Sequence, residues 1–176
     1  MDRRDRRDRR IGFAAAAGFI ATIWAANWLI SHYGVVHVGF GLLAPAGVFA
    51  VGVAFTLRDI THRCLGPWVV MAAILIGAAL SWIIAPAFAL ASGVAFLVSE
   101  LADLVVYTPL RERSWLGAVV TSNTVGLMID SALFLWLAFG SLQFFWGQVV
   151  GKAWMTLLAV VLIAGARAVL PRHAQA

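Results

Sequence analysis

Charged side chains are scarce in this sequence: Asp, Glu, Lys and Arg make up 12% of its 176 residues, against about a quarter in a soluble domain. With a hydrophobic fraction of 62% and a mean hydropathy of +0.92, that scarcity excludes a soluble globular fold and leaves an integral membrane protein. The single cysteine, Cys64, excludes an internal disulfide, and without a second thiol or a histidine cluster it gives no metal signature. No glycine-rich loop ending in Lys-Ser or Lys-Thr is present, so the chain itself is not expected to hydrolyse nucleotide, and no cofactor is expected. Nor is an enzyme: Ser99, Ser122 and Ser131 lack a suitably placed histidine, because His32, His37, His62 and His173 fall near helix ends or in turns.

What the chain does have is arginine, which gives a net charge of +5. Residues 2–10 are Asp-Arg-Arg repeats with nothing apolar to bury, so 1–10 is expected to be a disordered cytoplasmic tail near anionic headgroups, not a nucleic-acid binder. The apolar segment that follows is too long for a signal-peptide core. Six spans are expected, at 11–31, 35–57 with Pro45 as a kink, 67–85, 88–107, 115–139 and 145–168. They form one all-α domain over 11–170, followed by a cytoplasmic C-terminal tail, 171–176. Arg58, Arg63, Arg111, Arg113, Arg167 and Arg172 then all fall on one side, while the opposite connections hold no Lys or Arg. That is the positive-inside pattern, with both termini cytoplasmic and the protein in the cytoplasmic (inner) membrane.

Several polar residues interrupt the apolar runs. On a helix, Glu100, Asp103 and Tyr107 share a face, as do Asn123 and Asp130 with Gly126 between them, then Gln148 and Lys152, and Trp24, Asn27 and Ser31. A carboxylate in a span costs roughly 2.5 to 3.5 kcal/mol, so Glu100 and Asp130 point to function. At about 1.5 Å rise per residue, Glu100 and Asn123 lie at similar depth, and so do Asp130 and Lys152, whose ion pair is the simplest arrangement. Asn123, Ser122, Ser99, Thr124 and Gln148 would also serve as hydrogen bonds between helices. Asp103 and Tyr107 would suit the interface, where Trp68, Trp115 and Trp146 fit as anchors. Trp24, Trp28, Trp136 and Trp154 lie deeper. Together the stripes suggest a cavity for a small, flat, polar molecule rich in N–H donors.

The motifs Ser99-Glu100-Leu101-Ala102-Asp103 with Tyr107, and Ser122-Asn123 through Asp130-Ser131 with Phe134, resemble the queuosine precursor transporter family, also called the vitamin uptake transporter family. Asn27, Asp59 with Gly66, and Gly147-Gln148 with Gly151-Lys152 extend the likeness to residues 27–152. The resemblance implies import of 7-cyano- or 7-aminomethyl-7-deazaguanine across the cytoplasmic membrane by a six-helix protein. Glu100 or Asp103 would accept from the ring N1–H and exocyclic amine, Asn123 or Gln148 would answer the carbonyl, and Trp28 or Phe134 would stack on the ring. Asn27, Asp130 and Lys152 complete the expected substrate site. The chain departs from the family in being short and in carrying Arg63 where an acid is usual, which leaves a site role for Asp59 open.

A different class of reading makes the chain the substrate-binding subunit of a vitamin or nucleobase uptake complex driven by a separate ATPase. The small-residue ridges Ala14-Gly18-Thr22 and Ala17-Ala21-Ala25 would accept a partner helix. The expected partners are otherwise the lipid bilayer, the small-molecule substrate and a second copy in a homodimer, because six short helices offer little surface to enclose a cavity.

Overall fold

Proline and glycine set most of the element boundaries. The computed structural model describes residues 3–169. It contains α1 (Arg3–Tyr33), β1 (Val35–Gly39), β2 (Leu42–Pro45), α2 (Val48–Leu65), α3 (Pro67–Trp82), α4 (Pro86–Leu110), α5 (Trp115–Phe139) and α6 (Phe145–Val169). Gly66, at φ 87°, ends α2, and Pro67 opens α3, where its missing N–H is not needed. Pro86 opens α4 in the same way. The Ser114 hydroxyl caps α5 by accepting from the Gly117 N–H at 3.1 Å, and the left-handed Gly140 ends it.

The expected span 35–57 is not one helix. Its first part is an antiparallel hairpin that pairs Val35 with Pro45, Val36 with Ala44 and His37 with Leu43. Two local features favour this. Val35, Val36 and Val38 are β-branched, and Gly39, Phe40 and Gly41 all take positive φ, which the two glycines make accessible. Pro45 therefore ends a strand and kinks nothing. Helix α2 begins at Val48 and runs unbroken through Arg58–Arg63, the stretch expected to be a turn. Likewise the expected disordered tail is, from Arg3 onward, the first turns of α1. Extending an existing helix avoids the nucleation cost, which lets these polar residues continue α1. The expected tail 171–176, with Arg172 and His173, and the expected placements of the Trp115 and Arg167 side chains lie outside the described residues.

Helix α4 lies along α5, α1 along α2, and α6 against α2 and the hairpin, whereas the α5–α6 seam is slight. Phe19, Ile23, Ala54, Val70, Ala73, Ile74 and Phe96 form the buried cluster that joins α1 to α4. Gly52 brings α2 and α6 together: a Cβ there would come within 2.8 Å of the Lys152 carbonyl oxygen. At the same place the Thr156 hydroxyl donates to the Gly52 carbonyl at 3.1 Å.

Leu75, Leu90, Val105, Val120, Leu157 and Leu162 face outward, while Asn27, Glu100, Asp103, Asp130 and Lys152 are buried. A polar interior under an apolar exterior suits a protein whose solvent is hydrocarbon. Among the described residues, Arg6–Tyr33, Pro86–Leu110 and Gly117–Phe139 are long and apolar enough to cross a membrane, and Pro67–Trp82 is a shorter apolar helix. Helix α2 carries Arg58, Asp59 and Arg63 within its 18 residues. Several apolar helices of this kind suit a multi-pass membrane protein.

Candidate functional site

The polar stripes do not converge on one point. They separate into two centres, with the Phe55 ring of α2 between them. The ring centroid is 5.7 Å from Arg58 Cζ and 5.9 Å from Lys152 Nζ, within cation–π range of both.

The first centre is built around Arg58, which the helical course of α2 carries into the interior. Its Nη1 is 2.9 Å from Glu100 Oε2 and 3.5 Å from Asp103 Oδ2, its Nε is 3.2 Å from Asp59 Oδ1, and its Nη2 donates to Asn123 Oδ1 at 3.4 Å. Glu100 and Asn123 do meet across the antiparallel α4–α5 pair, but through this guanidinium. His62 Nδ1 is 3.4 Å from Glu100 Oε1, and that oxygen and Asp103 Oδ1 are buried without a hydrogen-bond partner. Gly126 faces Asp103, where a Cβ would lie 3.7 Å from the Asp103 Cβ. A cleft of about 510 Å³ opens here, lined by Arg58, Asp59, Asp103, Tyr107, Ser122 and Asn123. Glu100 does not line it and sits behind Arg58, against Phe19, Phe55 and Phe96.

The second centre is closed. Lys152 Nζ donates to Asp130 Oδ2 at 2.5 Å and to Ser131 Oγ at 2.9 Å, with both ions buried. Asn27, Ser92, Phe134 and Gln148 join Asp130 and Lys152 around a cavity of about 20 Å³, room for roughly one water. Asn27 is held on two sides: its amide donates to the Ile23 carbonyl at 3.0 Å, and its oxygen accepts from the Ser92 hydroxyl at 3.1 Å. Gln148 Oε1 has no partner.

Glu100, Asp103 and Asn123 thus belong to the arginine centre, and Asn27, Asp130, Phe134, Gln148 and Lys152 to the lysine centre. Trp28 joins neither, because it stacks on His32 at 4.3 Å. Trp136 and Trp154 face outward, and Trp154 stacks on Phe40 at the hairpin tip, 6.2 Å away. The residues that sequence reasoning missed are Arg58 and His62, both placed in the connection that follows an expected span ending at residue 57. Their spacing was the available signal: Phe55, Arg58, Asp59 and His62 repeat at helical intervals and fall on one side of α2.

No curated protein and no solved structure matches the chain. A family model does: residues 80–166 match the family described as putative vitamin uptake transporter, which is the queuosine precursor transporter family. The matched segment runs from the end of α3 into α6. It contains Glu100, Asp103, Asn123, Asp130, Phe134, Gln148 and Lys152.

Proposed function

We propose, from the premise that the chain belongs through residues 80–166 to the putative vitamin uptake transporter family, that it imports a 7-deazaguanine precursor of queuosine. In this reading it lies in the cytoplasmic membrane with six spans and both termini cytoplasmic. The substrate, the cyano- or aminomethyl-deazaguanine, enters the cleft of the arginine centre. That cleft, at about 510 Å³, falls in the range of about 300 to 1,000 Å³ usual for small-molecule sites, whereas the cavity at Lys152 is too small for a ring.

One observation carries the reading: Asp103 is buried, lines the cleft and has an oxygen without a partner. A carboxylate in that setting accepts from the adjacent N1–H and exocyclic amine of a guanine-like edge. Asn123, whose oxygen is engaged by Arg58, has its amide N–H groups for the ring carbonyl. Glu100 holds Arg58 in place from behind. The Asp130–Lys152 pair ties α5 to α6 across the bundle and takes no part in holding the base in this conformation.

The test is uptake of labelled deazaguanine by the purified protein alone in liposomes, beside Asp103→Asn. Saturable uptake that falls at least about tenfold in the variant, as loss of a charge-assisted hydrogen-bond acceptor implies, is the expected result. Uptake unchanged in the variant moves the base away from Asp103. Binding without uptake makes the chain the substrate-binding part of a larger complex.

A further inference from the structure

The arginine centre holds more negative charge than its cation balances. Asp59, Glu100 and Asp103 all contact the single guanidinium of Arg58. The remaining charged or basic groups at the centre are His62, beside Glu100, and Arg63, which is exposed and also lines the cleft. Two guanidinium groups cannot neutralise three carboxylates, and Asp103, which lines the cleft, keeps a buried Oδ1 without a hydrogen-bond partner. The surplus is particular to this place, because Lys152 and Asp130 balance one to one. Asp59 is the acid with room for a new partner. It is half exposed, contacts only the Nε of Arg58, and lines both the main cleft and an adjoining one of about 400 Å³ bounded by Leu127, Ala153, Thr156 and Leu157.

We infer, building on the deazaguanine reading above, that the site is made for a cationic ligand: the ring's N–H edge rests on Asp103 while an alkylammonium group on the ligand pairs with Asp59. The aminomethyl compound is then taken in preference to the cyano compound, which has the same ring edge but no charge. The ligand's ammonium supplies the cation that the protein leaves out. Asp59 becomes the residue that selects between two otherwise matched substrates, although the basic residue at position 63 had left its role open.

The experiment measures binding of both compounds to the purified full chain in lipid nanodiscs at pH 7, for the wild type and for Asp59→Asn. The aminomethyl compound is expected to bind about tenfold or more tightly than the cyano compound to the wild type, as a new charge-assisted hydrogen bond implies. In Asp59→Asn the ratio is expected to shrink to within about threefold, with cyano affinity retained, the residual that a neutral contact leaves. Equal wild-type affinities, tighter cyano binding, or a preference that survives in Asp59→Asn each overturn the inference while leaving the deazaguanine reading in place. If neither compound binds, that reading falls and takes this one with it.

Discussion

Arg58 and Lys152 face the same phenylalanine ring from 5.7 and 5.9 Å, yet their surroundings are opposites. Lys152 has one carboxylate and one hydroxyl, both at close range, in a cavity that holds about one water. Arg58 has three carboxylates at 2.9 to 3.5 Å, two of them with an oxygen left over, beside a cleft large enough for a ring. A buried ion pair that is complete within itself locks helices together. One that is oversupplied with acceptors and open to a cleft is prepared for a further donor. Burial alone does not separate the two roles, since all four ions of the closest pairs are buried. The count of partners and the space beside them do.

The largest effect expected from breaking this contrast is at Arg58. Arg58→Met leaves Glu100 and Asp103 buried together without a cation and should cost about 3 to 5 kcal/mol, read as a lowered unfolding midpoint in detergent. Adding Glu100→Gln should recover only part of that loss, because Asp103 remains. Lys152→Met orphans a single carboxylate, so about 3 kcal/mol is expected. Here a second change, Asp130→Asn, should restore most of the loss in a double-mutant cycle. Full recovery at both centres, or at neither, would erase the distinction between a balanced and an oversupplied site.

A smaller effect on stability but a sharper one on ligand is expected at Asp103. Asp103→Asn should cost only about 1 kcal/mol, since Arg58 keeps Glu100 at 2.9 Å and Asp59 at 3.2 Å. It should also abolish the thermal stabilisation expected from a deazaguanine on the wild type, a shift equivalent to about 2.7 kcal/mol at a hundredfold excess over Kd. The smallest effect is expected at Gln148, whose buried Oε1 has no partner. Gln148→Leu should be neutral or slightly stabilising, within about 1 kcal/mol, and should leave uptake intact. Collapsed uptake in that variant would mean that the lysine centre also touches the substrate.

Much of the scaffold was legible in the sequence because its signals are local. Gly66-Pro67, Pro86 and Gly140 mark helix ends by conformational preference alone, and the long apolar periods of α4 and α5 leave no other assignment. The Asp130–Lys152 pair was also legible. Both residues sit on long regular helices joined by a short connection, so counting the rise per residue fixes their relative depth. What could not be counted was the axial position of α2. Its start depends on where the hairpin stops, and the hairpin competes with a helix over Val35–Pro45 on fine differences between β-branched residues, glycines and a proline. Once that start is misplaced, Arg58 becomes a turn residue and drops out of the site. The positive-inside rule strengthened the error, because it reads every arginine near a span as a marker of the membrane surface. Trp28 failed for another reason: its depth is compatible with a ligand cavity, but its ring turns to His32 on its own helix, and period alone does not fix a rotamer.

In the proposed six-span arrangement the hairpin also acts as a waterline. Its two strands have no third neighbour among the described residues, so their outer backbone edges suit a hydrated layer better than hydrocarbon. Helix α2 leaves that layer at Val48 and reaches Arg58 ten residues later, about 15 Å down at the usual rise. That is half of a hydrocarbon core roughly 30 Å thick. With the hairpin at the surface of that arrangement, the guanidinium hangs near the midplane, where the barrier to a polar solute is highest and where an imported molecule would most need something to hold.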